Sequence, residues 1–314
     1  GSMKTGVLIA FINYVTQILM SLVMISAIIL NGSRALASSK RIDEILHTHV
    51  DLSDENASRK DQIVRKGQIA FRNVCFRYYK NNRKWVLQDI NLDIEPGETV
   101  GIIGSTGCGK TTLVHLIPRL YDVDSGEVLV DGINVKDYSL KNLRSGVSIV
   151  LQNNVLFSGT IRDNLMWGDE DADEETITHF AKSAQAHDFI TLSPNGYDTE
   201  LGQGGVNVSG GQKQRLCIAR TLLKRPKILI LDDSTSAVDT ATESRIQENF
   251  SKDLLHTTKI IIAQRISSVM DADKIVVMDE GKITDMGTHS ELLQSCETYR
   301  EIYSSQMDKA VTAS

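Results

Sequence analysis

The run Gly104-Ser105-Thr106-Gly107-Cys108-Gly109-Lys110-Thr111-Thr112 decides the fold. It has the spacing G-x-x-x-x-G-K-T, follows the β-rich segment ETVGIIG (98–104) and opens the helical pattern TTLVHLIPRL (111–120). That context separates a phosphate-binding loop from a chance run of glycines. Glycines let successive backbone N–H groups turn inward on phosphate oxygens, and the N-terminus of the following helix adds a favourable dipole. Gly104 through Thr112 are the candidate nucleotide-binding residues. Lys110 is expected to contact the β- and γ-phosphates and the Thr111 hydroxyl to ligate Mg²⁺. Cys108 is given no catalytic role.

Downstream, NVSGGQKQR (207–215) is followed by KILILDD (227–233) and then STSAVD (234–239). KILILDD and KIIIAQR (259–265) are apolar runs without alternation, as buried parallel strands require. Asp232 ends the first of these, where P-loop enzymes place a carboxylate that holds Mg²⁺ directly or through water. The order and spacing of these runs resemble the nucleotide-binding domain of an ABC transporter, specifically an exporter half-transporter carrying its membrane helices on the same polypeptide. The resemblance covers residues 3 to 307 and implies an α/β P-loop NTPase fold with an antiparallel β subdomain and a helical subdomain, preceded by one transmembrane helix.

Several roles come with that resemblance. Gln152, ending SIVLQ before NNVLFSGTIRDNL (153–165), matches the glutamine that senses the γ-phosphate and metal and couples to the membrane domain. Tyr78 matches the aromatic that stacks on adenine, with Tyr79 or Trp85 as alternatives; such stacking is worth roughly 1–3 kcal/mol. Ser209, Gly210, Gly211 and Gln212 match the signature loop that binds the γ-phosphate of ATP held by an opposite subunit. Ser236 to Asp239 match the loop that crosses the dimer interface. YDTELGQGGVN (197–207) resembles a loop that touches the membrane domain, although Gln203-Gly204 departs from the usual Glu-Arg.

Two positions depart from the family in the hydrolytic machinery itself. Asp233 stands where a glutamate polarises the attacking water, and Gln264 stands where a switch histidine is expected. The shorter carboxylate falls back by roughly 1.5 Å, and misplacement of that order costs about a hundredfold in rate. Gln can donate a hydrogen bond to the γ-phosphate but carries no proton or positive charge. The expectation is a degenerate site that binds ATP and hydrolyses it slowly, with Asp233, Gln264 and Gln152 as catalytic candidates and Thr111, Gln152 and Asp232 around the metal. Its intact signature loop would then complete the site of a different half-transporter. A homodimeric exporter with weak ATPase activity and a regulatory ATP-binding module are the rival readings.

Towards the N-terminus, no charged residue occurs from Thr5 to Ser33. GVLIAFINYVTQILMSLVMISAIIL is long enough to cross a hydrocarbon core of about 30 Å as a helix. A core helix or a signal peptide is the alternative, but the run is long for a signal segment. Arg34, Lys40 and Arg41 follow it closely while Lys4 alone precedes it, which places the C-terminal side in the cytoplasm of a cell-membrane protein. Asn13, Thr16 and Gln17 are expected in interhelical hydrogen bonds rather than on lipid. Gly1 and Ser2 read as a tag-cleavage scar, and a lone helix suggests the last membrane helix of a longer subunit, the rest of whose transmembrane domain is an expected partner along with membrane lipid.

The expected layout is 1–48 for the scar, span and cytoplasmic extension, 49–66 for a linker, 67–307 for the ATP-binding domain with a helical part at about 153–212, and 308–314 for a frayed tail. In a chain of 314 residues the formal net charge of -6 argues against a nucleic-acid partner. Four cysteines without a CxxC pair suggest reduced thiols rather than disulfides or zinc. The transported substrate is left open among lipid, peptide and drug.

Overall fold

The computed structural model describes residues 4–48, 50–80, 84–234 and 238–312. The chain divides into two units, up to Asp51 and from Leu52 onward. The first unit is one helix, α1 (Thr5–Leu46), whose 42 residues rise about 63 Å at 1.5 Å per residue, roughly twice a bilayer core. Its apolar side chains, including Phe11, Ile18, Leu22 and Ile29, are exposed. The Thr16 hydroxyl donates to the Ile12 carbonyl at 2.9 Å, and Ser21, Ser26 and Ser33 bond the turn before them in the same way.

In the second unit, β1 (Ile69–Phe76), β2 (Leu87–Ile94) and β3 (Thr99–Gly104) lead into α2 (Lys110–His115). This helix is shorter than the sequence pattern implied. Pro118 disfavours α geometry at Ile117, and the chain continues in i→i−3 bonds such as Leu116 N–H to Leu113. Next come β4 (Ser125–Val130), β5 (Ile133–Asn134), α3 (Leu140–Gly146) and β6 (Val147–Val150). A mainly helical stretch follows, with β7 (Gly159–Thr160), α4 (Ile161–Met166), α5 (Glu174–Ser183), α6 (His187–Thr191), β8 (Glu200–Leu201) and α7 (Gly210–Leu223). The chain closes with β9 (Ile228–Asp232), α8 (Thr240–Asp253), β10 (Thr258–Ile262), β11 (Lys274–Asp279), β12 (Lys282–Gly287), α9 (His289–Ser295) and α10 (Glu297–Thr312).

Two larger sheets carry the unit. An antiparallel sheet runs β2-β1-β4-β5, and a mainly parallel one runs β12-β11-β3-β10-β9-β6, with β12 its antiparallel edge. The parallel strands are buried on both faces: Leu229, Leu231, Ile261 and Val277 pack with the helical part, whereas Ile228, Ile230, Ile260 and Val276 pack towards the antiparallel sheet. Uninterrupted apolar runs are the sequence trace of that two-sided burial.

Two expected boundaries are corrected. Residues 52–66 are not a free linker. The Asp131 carboxylate accepts from the N–H groups of Arg65, Lys66, Gly67 and Gln68 at 2.6–3.0 Å, Asp54 accepts from the Leu140 N–H, Arg119 donates to the Ser53 carbonyl, and Val64 is buried. Its polar composition reflects a surface segment tied at several points to distant polar groups. His49 lies outside the described residues. The expected tail is also helical over its described part: α10 continues to Thr312, because nothing from Glu297 to Thr312 is a glycine or proline that would stop it.

Candidate ATP site

The candidate residues collect at the C-terminal ends of adjacent parallel strands, where open α/β sheets place their ligands. The P-loop leaves β3, Asp232 ends β9, Gln264 follows β10 and Gln152 follows β6. The loop's glycines are needed by its geometry. Gly104 has φ 148°, and a Cβ there would lie 2.0 Å from the Met278 carbonyl oxygen; Gly109 has φ 104° and would meet Leu87 and Val86. Within the loop the Cys108 N–H donates to the Ser105 carbonyl, and Lys110 Nζ donates to the carbonyls of Gly104 and Ser105 at 2.8 and 2.9 Å. Ser105 Oγ reaches Asp279 at 3.3 Å. Cys108 is buried, one of four free cysteines.

Thr111 and Asp232 are brought together: the hydroxyl donates to Asp232 Oδ1 at 3.0 Å. A hydroxyl beside a carboxylate is the hard-oxygen donor set that Mg²⁺ takes, so these residues fit the ion. Burial pushes the Asp232 carboxyl up from its ordinary range, partly offset by the Thr111 hydrogen bond.

Gln152 and Gln264 converge instead on Asp233. Gln264 Nε2 donates to Asp233 Oδ2 at 2.6 Å and Gln152 Nε2 donates to the same oxygen at 3.2 Å. Burial raises the Asp233 carboxyl, and the two amides oppose it. The residue has φ 48°, a left-handed conformation that Asp tolerates better than most side chains.

Tyr78 keeps an exposed ring, its hydroxyl 2.8 Å from Thr112 Oγ1 and its edge against Phe76 and Tyr121. Of the alternatives, Trp85 has the Arg77 guanidinium 4.4 Å over its ring and Tyr79 is exposed. The signature residues form a separate group at the start of α7. Ser209 Oγ accepts from the Gln212 N–H and Gln212 Oε1 accepts from the Ser209 N–H, a reciprocal cap that fixes the loop at the helix end and leaves Gly210 and Gly211 in its first turn. Asp239 caps α8 through the Thr242 N–H, which holds its carboxyl low, while Ser236 lies outside the described residues.

Sequence reasoning missed three contributors. The turn between β11 and β12 supports the P-loop, since the Gly281 N–H donates to the Cys108 carbonyl and its carbonyl accepts from the Gln88 N–H. His115 sits near Asp232, its ring ionisation lowered by burial against the pull of that carboxylate. Gln306 grips the loop bearing Gln264. No sequence signal at Glu280-Gly281 says what that turn touches.

Residues 87–236 match the family model described as ABC transporter. Over 309 residues the chain is 45% identical to the uncharacterized ABC transporter ATP-binding protein YfiB of Bacillus subtilis (strain 168), covering 98% of this chain and 53% of that protein. Over 307 residues it is 42% identical to the putative multidrug export ATP-binding/permease protein YgaD of the same organism, covering 98% and 52%. Among solved structures, a bacterial Atm1-family ABC exporter with ATP bound superposes with a TM-score of 0.83 at 35% identity, over 95% of this chain and 52% of that one. The chain thus spans about half the length of the relatives it matches. With the glycine-rich Gly104–Thr112 loop leaving β3, a buried carboxylate ending β9 two strands away in the same sheet and a reciprocally capped helix opening at Ser209, it belongs to the ABC transporter family, of which it carries the ATP-binding domain.

Proposed function

We propose that this chain is the ATP-binding part of a membrane exporter subunit whose own hydrolytic site is degenerate, and whose signature loop completes the competent site of a different half-transporter. The observation that carries the reading is the Asp233 carboxylate, one methylene short and drawn by Gln264 and Gln152 onto a single oxygen. A glutamate would extend further along that path, and a histidine at 264 could carry charge to the γ-phosphate where Gln264 cannot.

In the proposed site Lys110 holds the β- and γ-phosphates, Thr111 and Asp232 hold Mg²⁺ with Gln152 nearby, and Tyr78 stacks on adenine. Bound Mg²⁺ would neutralise phosphate charge. Ser209, Gly210, Gly211 and Gln212 would face the partner's ATP, and Ser236 and Asp239 would lie along the shared interface. ATP binding would draw the two domains together, and hydrolysis, mainly at the partner's site, would reset them. The long exposed apolar face of α1 supports a cell-membrane location with the ATP-binding domain on the cytoplasmic side, joined to the rest of a transmembrane domain. The names of the relatives make multidrug export the leading cargo class.

The test compares steady-state MgATP hydrolysis by this chain and its Asp233→Glu variant, with ATP binding measured on both. We expect matched binding and a rate at least about tenfold higher for the variant. Equal, brisk rates would overturn the degenerate-site reading.

A further inference from the structure

The loop after β10 carries Gln264, and its backbone is held from α10. Gln306 Nε2 donates to the Gln264 carbonyl at 2.8 Å, while Gln306 Oε1 accepts from the Ile266 N–H at 2.9 Å. One planar carboxamide therefore satisfies an acceptor and a donor on either side of Arg265. From the same loop the Gln264 side chain donates to Asp233, which Gln152 also reaches. Two hydrogen bonds, joined through the covalent frame of Gln264, thus link α10 to the carboxylate next to Asp232.

The helix that presents Gln306 is itself fixed. Tyr299 is fully buried and its hydroxyl lies 2.6 Å from His289 Nδ1; the Tyr303 ring packs 5.4 Å from the His289 ring. Ile302 and Tyr303 pack on the core cluster that contains Ile266. The anchored helix therefore presents the Gln306 carboxamide to the loop from a fixed backbone.

We propose that Gln306 is a positioning residue for the ATP site: through the Gln264 carbonyl and the Ile266 amide it sets the reach of the Gln264 side chain onto Asp233, so that α10 controls turnover from outside the nucleotide pocket. The proposal rests on the reading that Asp233 and Gln264 act on bound ATP. A purely structural clamp would stabilise the fold without acting through Gln264, and the two are separable.

The experiment uses the full chain, single-turnover hydrolysis of MgATP, MgATP dissociation constants, melting temperatures and amide exchange. Gln306→Ala, which removes both bonds of the clamp, is expected to lower the single-turnover rate about threefold to tenfold, with the dissociation constant unchanged. Gln306→Glu, which keeps the acceptor for Ile266 but sets an oxygen against the Gln264 carbonyl, is expected to lose at least as much. In a Gln264→Ala background, Gln306→Ala should change nothing further. Equal losses in both backgrounds, a loss confined to the dissociation constant, or no loss would overturn the proposal. A wild-type chain that fails to bind MgATP would instead refute the function proposed above; the clamp is then judged by exchange at the Ile266 amide, which Gln306→Ala must accelerate and which, if unchanged, overturns it.

Discussion

At the scale of single residues, adjacent Asp232 and Asp233 both have carboxyls raised by burial. An acid whose ionisation is pushed up on folding binds its proton more tightly in the folded state, so stability falls as pH rises from the ordinary carboxylate range through the folded value. Asp232→Asn removes that cost while keeping an oxygen for the Thr111 hydroxyl. Without nucleotide, this variant is expected to melt above wild type at neutral pH, the gap closing as pH is lowered towards the carboxylate range, while its MgATP affinity drops. Thermal melts across pH and an equilibrium binding titration check both halves. That the candidates Lys110, Thr111 and Asp232 would meet at one end of the sheet was legible because each sits at a fixed offset from a strand end. Gln306 was not, because a helical glutamine carries no mark of the backbone it will hold 42 positions away.

At the scale of elements, the β11–β12 turn is the less obvious half of the candidate phosphate site. Glu280 has φ 43° and Gly281 φ 81°, the pair of left-handed residues that a tight hairpin demands. A Cβ on Gly281 would lie 2.4 Å from the Val86 carbonyl oxygen. Gly281→Ala is therefore expected to cost about 1–3 kcal/mol and to weaken MgATP binding by shifting the Cys108 carbonyl. Denaturant unfolding and nucleotide titration read the two effects. Ser209→Ala, by removing the α7 cap, is expected to cost about 1 kcal/mol in the same unfolding measurement. Buried parallel strands were legible from their unbroken apolar runs, as in ILIL and III. The two-residue strands β7 and β8 were not, since Gly159-Thr160 and Glu200-Leu201 pair with each other and have no pattern of their own. The segment 52–66 read as a linker for a related reason: the groups that tie it down, among them Asp131 and Arg119, lie far along the chain.

At the scale of the molecule, the division after Asp51 predicts where the chain can be cut. Residues 52–314 are expected to remain soluble without detergent and to melt as one unit, whereas the whole chain needs detergent because the apolar side chains of α1 are exposed. A cut at residue 67 strips Asp131 of the Arg65 and Lys66 amides and removes buried Val64; hydrogen bonds to a charged group are worth about 1.5–3 kcal/mol each, so this piece should be at least about 2 kcal/mol less stable in urea unfolding. Strand order adds a consequence in time rather than space. The strand that delivers the phosphate loop lies between β10 and β11, both made more than 150 residues after it. On the ribosome, residues 99–109 emerge long before either neighbour exists, and the brace from Gly281 comes later still. The nucleotide pocket is thus among the last features synthesis can complete, and a chain broken off before that hairpin has every P-loop residue but no assembled site.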